Sequence, residues 1–153
     1  MSGTADLTVQ DITTLLPTAL KGTSGAAYVI PSSSYPAGAT PITAASGSVA
    51  AATATATLAG VASKTTYIAG FQITSSGSTG AAVVSPTITG TITGTLTYTY
   101  ATVAGATLSN QPLVVTFNPP IPASATNTGI AVALPSLGVG NTNATVVAHG
   151  YQL

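Results

Sequence analysis

The chain lacks cysteine, tryptophan, glutamate and arginine altogether, and only 3% of its residues are charged. An ordinary soluble domain carries roughly 25% charged residues. Without these side chains the protein can form no disulfide framework, no thiol nucleophile, no cysteine-based zinc site and no arginine clamp for phosphate. The sequence therefore predicts a protein that is not an enzyme and that has no catalytic, metal-binding or cofactor-binding residues.

The remaining side chains with acid–base potential are few and lie far apart in the sequence. His149 is the single histidine, and the only carboxylates, Asp6 and Asp11, lie near the other end of the chain. A general base needs a nucleophile or an orienting carboxylate beside it. We therefore interpret His149 as a residue at a strand end, just before a turn at Gly150, and Asp11 as a helix-capping residue.

The same composition disfavours nucleic acid and membrane as partners. Lys21 and Lys64 are the only basic residues besides the histidine, too few for the basic surface that phosphate contacts require. No uninterrupted apolar run approaches the 18 or so residues of a spanning helix. A formal net charge of zero leaves copies of the protein without mutual repulsion, which is typical of a component of an assembly.

Threonine, alanine, serine and glycine make up more than half of the chain, and from Ser48 onward the pattern has a period of two. Every odd position from Thr87 to Thr99 is threonine, with a hairpin expected between Gly90 and Gly94. Such alternation predicts β-strands. The predicted strands are Ala50–Leu58, Tyr67–Thr74, residues 81–90, residues 95–103, Leu113–Phe117, Gly129–Leu134 and Ala144–Gln152.

These strands predict an all-β domain over residues 48–153. About seven to eight short strands with turn signals between them favour an antiparallel β-sandwich or jelly roll, or a barrel. Tyr67, Ala69, Phe71 and Ile73 are expected on one face of their strand, and Asn118-Pro119-Pro120 is expected to end the strand before it. An ice-binding face on the threonine row is a minor alternative, because such faces need several stacked repeats.

The first 47 residues differ from the rest and predict an extended N-terminal arm. They contain three of the four charged residues and four of the ten prolines. Thr8-Val9-Gln10-Asp11 resembles a capping box and predicts a short helix over residues 8–16, before Pro17, and Ala27–Ile30 predicts one short strand. We expect the apolar side chains of the arm to bind a partner. They are Leu7, Ile12, Leu15, Leu16 and Leu20.

Three segments near the C-terminus carry a family resemblance. They are LVVTFNPPIPASA at 113–125, GNTNA at 140–144 and AHGY at 148–151, and residues 64–94 fit the same impression with a TYIAGF strand and a TITG hairpin. In these segments the chain resembles small virion structural proteins of tailed bacteriophages. The resemblance implies a β-sandwich or jelly-roll protein on the capsid or elsewhere on the particle, with no active site.

We therefore expect a capsid decoration protein on the surface of a virion. It would bind the major capsid protein or other virion subunits as a homo-oligomer, with a trimer favoured. The alternative is a receptor- or glycan-binding fibre or adhesin module that uses the loops Ser75–Gly80 and Gly138–Asn143. In that case four tyrosines could stack on sugars: Tyr67, Tyr98, Tyr100 and Tyr151. The first three of them sit at apolar strand positions, where core packing is expected instead.

Overall fold

The computed structural model describes residues 35–153, and the compact unit within this range is Ala37–Leu153. Ten strands and no helix form the regular structure of the described residues. This confirms the predicted all-β class, with two to three more strands than the seven to eight expected. The strands are β1 (Thr40–Ala45), β2 (Ala54–Leu58), β3 (Thr66–Ser75), β4 (Ala82–Val84), β5 (Thr87–Thr91), β6 (Gly94–Thr97), β7 (Tyr100–Thr102), β8 (Leu113–Pro122), β9 (Ile130–Leu134) and β10 (Ala144–Gln152).

Eight of these strands form two antiparallel sheets, in the orders β1-β10-β3-β8 and β2-β9-β5-β6. The pairing is nested: β1 pairs with β10, β2 with β9, β3 with β8 and β5 with β6. The chain thus pairs as one long hairpin, which is rolled so that β10 also meets β3 and β9 also meets β5. Nested pairing closed in this way is the topology of a jelly roll, as predicted.

The core lies between the two sheets, where β2 packs against β1 and β10. In β2 the alanines and Leu58 are buried while Thr55 and Thr57 are exposed, as the period of two predicted. Burial of the apolar faces removes hydrocarbon from water and drives the sheets together. The largest fully buried apolar side chains are Phe71, Leu58, Ile68, Ile73, Ile88, Ile130, Leu134 and Leu137.

The predicted hairpin around Gly90 and Gly94 is present, but each of its strands is interrupted. Residues 81–90 divide into β4 and β5, and residues 95–103 divide into β6 and β7. The first of these strands breaks at Ser85 and Pro86. Pro86 has no N–H to donate to a ladder, and its carbonyl accepts a bond from Tyr98 N at 2.8 Å. As a result β4 and β7 form a separate two-stranded ribbon.

The strand β8 does not end at Asn118, as its prolines suggested, but continues to Pro122. Its ladder with β3 pairs Thr116 with Gly70 and then Ile121 with Ile68, so residues 117–120 bulge out of the ladder. Prolines are accepted there because β8 is an edge strand.

A second bulge corrects the expected face of β3. The pairs between β3 and β10 shift beside His149 and Gly150, which leaves Ala69 as an extra residue. The shift turns Ile68 into the core and moves Tyr67 to the outer face, away from Phe71. A bulge adds one unpaired residue at a position that depends on the neighbouring strand. The alternation of the sequence therefore could not predict it.

The expected boundary between arm and domain at residue 47 also moves. Thr40–Ala45 is not part of an arm but forms β1, paired along its length with β10, and the folded unit begins at Ala37. Pro41 obscured this strand in the sequence, although a proline is compatible with an edge position. The helix expected at 8–16, the strand expected at Ala27–Ile30 and the five apolar arm residues lie outside the described residues.

Candidate functional site

Four connecting segments meet at one end of the sandwich, which we call the loop end. Ser76 N donates to Asn143 O at 2.8 Å, and Thr79 N donates to Val139 O at 2.9 Å. The predicted binding loops Ser75–Gly80 and Gly138–Asn143 therefore do lie together. The loop end comprises residues 46–53, 76–81, 103–112 and 135–143.

A buried amide, Asn110, joins these segments. It is only 3% exposed, and its Oδ1 accepts a bond from Val103 N at 2.8 Å. Its Nδ2 donates to Ser75 Oγ at 2.7 Å and to Ser76 O at 2.8 Å. Ser75 Oγ also bonds to the Tyr100 hydroxyl at 2.9 Å. Because these bonds are buried and directional, they fix the 103–112 segment against the end of β3.

A second buried amide, Asn141, holds the 135–143 segment. It is 2% exposed, and its Nδ2 donates to Ser76 O at 2.9 Å and to Asn143 O at 3.1 Å. Its Oδ1 is buried and has no hydrogen-bond partner among residues 35–153. The two amides thus converge on the carbonyl oxygen of Ser76, which accepts a bond from each.

An open cleft of about 320 Å³ lies where the loop end meets β3 and β10. Six of its eight lining residues carry a hydroxyl group, one carries an amide, and none is ionisable. The cleft can therefore both donate and accept hydrogen bonds without carrying charge. The lining residues are Thr74, Ser75, Ser76, Thr107, Leu108, Ser109, Asn143 and Thr145.

The hydroxyl groups of the cleft are of two kinds. Those of Ser75 and Ser76 are engaged in the hydrogen bonds that hold the loops, and Ser109 Oγ donates to Asn110 O at 3.3 Å. The side-chain hydroxyls of Thr74, Thr107 and Thr145 make no hydrogen bond to any other residue within 35–153. Thr74 and Thr145 are cross-strand partners on β3 and β10, so their side chains stand next to each other on one wall.

The four tyrosines considered for sugar stacking do not line this cleft. Tyr98 packs edge-on against Phe71 with ring centroids 5.2 Å apart, and burial raises the pKa of its hydroxyl. Tyr100 is buried, as expected. The expectation of core packing was wrong for Tyr67, which stacks on Tyr151 at 4.7 Å on the outer face of the first sheet. The pKa of Tyr151 is raised by burial and by the neighbouring Tyr67.

His149 has no acidic partner among the described residues, because both aspartates of the chain lie outside that range. Its ring crosses over Gly70, where an added Cβ would come within 2.9 Å of His149 Cε1. The turn expected at Gly150 is not there, since β10 continues through the bulge to Gln152.

Within residues 35–153 no group of three or more His, Cys, Asp or Glu side chains could hold a metal. No helix in that range could cross a membrane.

Apolar side chains project from the loop end and its neighbouring ribbon, a feature that alternation could not predict. Val139 is 81% exposed and Val83 is 70% exposed. Leu108, on the rim of the cleft, is also more than half exposed. At this end of the molecule the polar amides are therefore inside and large aliphatic side chains are outside, the reverse of the usual arrangement.

The threonine row is divided between two strands instead of forming one face. Thr87 of β5 lies opposite Thr97 of β6, and both belong to the outer face of the second sheet. Thr91 is buried, and its Oγ1 donates to Gly94 O at 2.6 Å to close the hairpin. The regular array that an ice-binding face requires is interrupted at this residue.

Comparison with protein-family models, with curated proteins and with solved structures yields no match to this chain. The resemblance to small virion structural proteins of tailed bacteriophages therefore stays a prediction.

Proposed function

We propose that this chain is a non-enzymatic virion structural protein that decorates and stabilises a bacteriophage capsid as an oligomer. The observation that carries the proposal is the surface of the jelly roll. It bears no acidic side chain and a single lysine, while Val83 and Val139 are largely exposed. Jelly rolls occur in viral capsid domains and also in lectins, so the fold is compatible with this role without deciding it.

The absence of charge determines what kind of contact such a surface can make. The one lysine of the domain, Lys64, already donates to Thr40 Oγ1 at 3.1 Å. Contacts between copies, or with a shell protein, would gain little from ion pairs. They would depend on buried apolar area and on hydrogen bonds. An interface of this kind is suited to a permanent assembly rather than to a transient encounter.

The partner in this proposal is the major capsid protein or another virion subunit, and a trimer is the favoured oligomer. Closed rotational symmetry lets one chain occupy equivalent positions on a symmetric shell. The apolar residues of the N-terminal segment would add a second contact to the same particle, which strengthens attachment through avidity. They are Leu7, Ile12, Leu15, Leu16 and Leu20.

Quantitative mass spectrometry of bacteriophage particles purified from a host culture that carries this gene tests the proposal. We expect hundreds of copies per particle, because a shell repeats the same binding site many times. A copy number of a few per particle would favour the fibre or adhesin alternative. Absence of the protein from purified particles would overturn the virion assignment.

The contribution of the N-terminal segment can be tested in the full-length chain. The double variant Leu15→Ser/Leu16→Ser removes two apolar side chains, and Thr13→Ser/Thr14→Ser is the matched control in the same segment. We expect the leucine variant to lose binding to particles that lack the protein, with an unchanged melting temperature. Full binding by the leucine variant would remove the arm from the proposal.

A further inference from the structure

We propose that the cleft at the loop end binds a neutral carbohydrate. This inference concerns a different property from attachment to a capsid. The site consists of Thr74 and Thr145 on the sheet, Thr107 on the facing segment and Leu108 on the rim. The chemistry of these side chains, the way they are held and the absence of charge around them each support the proposal.

The cleft offers the groups that recognise a sugar. The hydroxyls of Thr74, Thr107 and Thr145 each combine one donor with two acceptor positions, and none of the three is used in a side-chain hydrogen bond within the described residues. Sugar hydroxyls have the same dual character, so the two sets can pair without leaving a group unsatisfied. Leu108, more than half exposed, supplies an apolar surface for the C–H face of a pyranose ring.

The walls of the cleft are already in place before any ligand arrives. Asn110 binds the 103–112 segment to the end of β3, and Asn141 binds the 135–143 segment to the same carbonyl. A ligand would therefore not have to order these loops, so binding does not carry the entropic cost of loop ordering. The volume of about 320 Å³ lies near the lower end of the range for small-molecule sites.

The absence of charge selects among saccharides. No lining residue is ionisable, and Lys64 is engaged with Thr40 instead. A uronic or sialic acid would lose part of its hydration in the cleft without gaining an opposite charge. Neutral hexoses and N-acetylhexosamines meet no such penalty, so they form the expected ligand class.

Ligand-observed saturation-transfer NMR on the full-length protein tests the proposal. The probes are neutral oligosaccharides of glucose, galactose, mannose and N-acetylglucosamine, with a glucuronate-containing disaccharide for comparison. We expect transfer to at least one neutral probe and weaker transfer to the glucuronate. No transfer to any neutral probe at millimolar concentration, or stronger transfer to the glucuronate, would overturn the proposal.

A pair of double variants assigns the binding to the cleft. Thr74→Val/Thr145→Val removes two hydroxyl groups at nearly constant volume, and we expect about tenfold weaker binding from two lost hydrogen bonds. Thr43→Val/Thr116→Val makes the same change on the outer face of the same sheet, away from the cleft, and should bind like the wild type. Equal affinity for all three proteins, each with a native melting temperature, would place the sugar elsewhere and overturn the proposal. Saccharide binding by a protein that is absent from virions would contradict only the capsid role.

Discussion

The interior of the sandwich and the loop end are held together by different interactions. Between the sheets most of the buried side chains are aliphatic or aromatic, with Phe71 and Ile130 fully enclosed. At the loop end the most buried side chains include the amides Asn110 and Asn141, whereas Val139 projects into solvent. Burial of hydrocarbon stabilises the first region, and directional hydrogen bonds to backbone groups stabilise the second.

This contrast explains how the loops can be ordered while their apolar side chains stay available. A loop that packs its own valines inward uses them for its stability and has little apolar surface left for a partner. Here the hydrogen bonds of Asn110 to Ser75 and Ser76 order the segment instead. The exposed aliphatic side chains and the threonine hydroxyls of the cleft can then contact other molecules. Substitutions in the two regions should therefore differ in how much stability they remove and in how much of the domain they affect.

The largest effect is expected from Phe71→Ala in the core. Phe71 packs against Tyr98 and Phe117, and its truncation leaves a cavity, which costs about 3–5 kcal/mol. Urea denaturation followed by circular dichroism should report this loss in the free energy of unfolding. Val114→Ala removes an aliphatic side chain that is largely exposed on β8 and should change stability by at most about 0.5 kcal/mol. Similar losses in both variants would contradict the assignment of the core.

A smaller and more local effect is expected from Asn110→Ala at the loop end. The change leaves Val103 N without its acceptor and removes two donated bonds, which costs about 1–3 kcal/mol. Hydrogen exchange should speed up at residues 103–110 more than in β9. Gln111→Ala, an exposed amide in the same segment, is the control and should leave exchange unchanged. A uniform increase in exchange over the whole domain would show that the loop end is not a separate unit of stability.

The same contrast sets the limit of what the sequence could predict. Alternation predicted strands such as β2 and β9, because burial alternates from residue to residue along each of them. Alternation did not predict the bulges beside Gly70 and Gly150, nor the strand β1. Bulges depend on pairing between distant strands, and Pro41 in β1 resembles a loop residue until its edge position is known.

The candidate cleft was predicted only in part. The loops Ser75–Gly80 and Gly138–Asn143 were expected to act together, and they do meet. The 103–112 segment, which closes the cleft with Thr107 and Leu108, was not among them. Asn110 reads in the sequence as an ordinary turn residue, and only its burial identifies it as the residue that fixes this segment.

The smallest effect is a loss in the free energy of unfolding at alkaline pH. It is expected from a tyrosine in the core and one on the outer face of the first sheet, and not from the loop end. Burial raises the pKa of Tyr98 above its ordinary value of 10.0, and burial together with Tyr67 raises that of Tyr151. Above about pH 10 the unfolded chain has lost protons that these two hydroxyls still hold in the folded protein. The folded state then binds more protons than the unfolded state, so the free energy of unfolding decreases as the pH rises.

Tyr98→Phe isolates the core part of this alkaline loss. The Tyr98 hydroxyl has no hydrogen-bond partner within residues 35–153, so the variant should be as stable as the wild type at pH 7. Above pH 10 it should lose less stability than the wild type, because one group with a raised pKa has been removed. Urea denaturation at pH 7, 9, 10 and 11 measures both quantities. An identical alkaline loss in the two proteins would mean that Tyr98 titrates alike in the folded and unfolded states, and that burial does not desolvate its phenol.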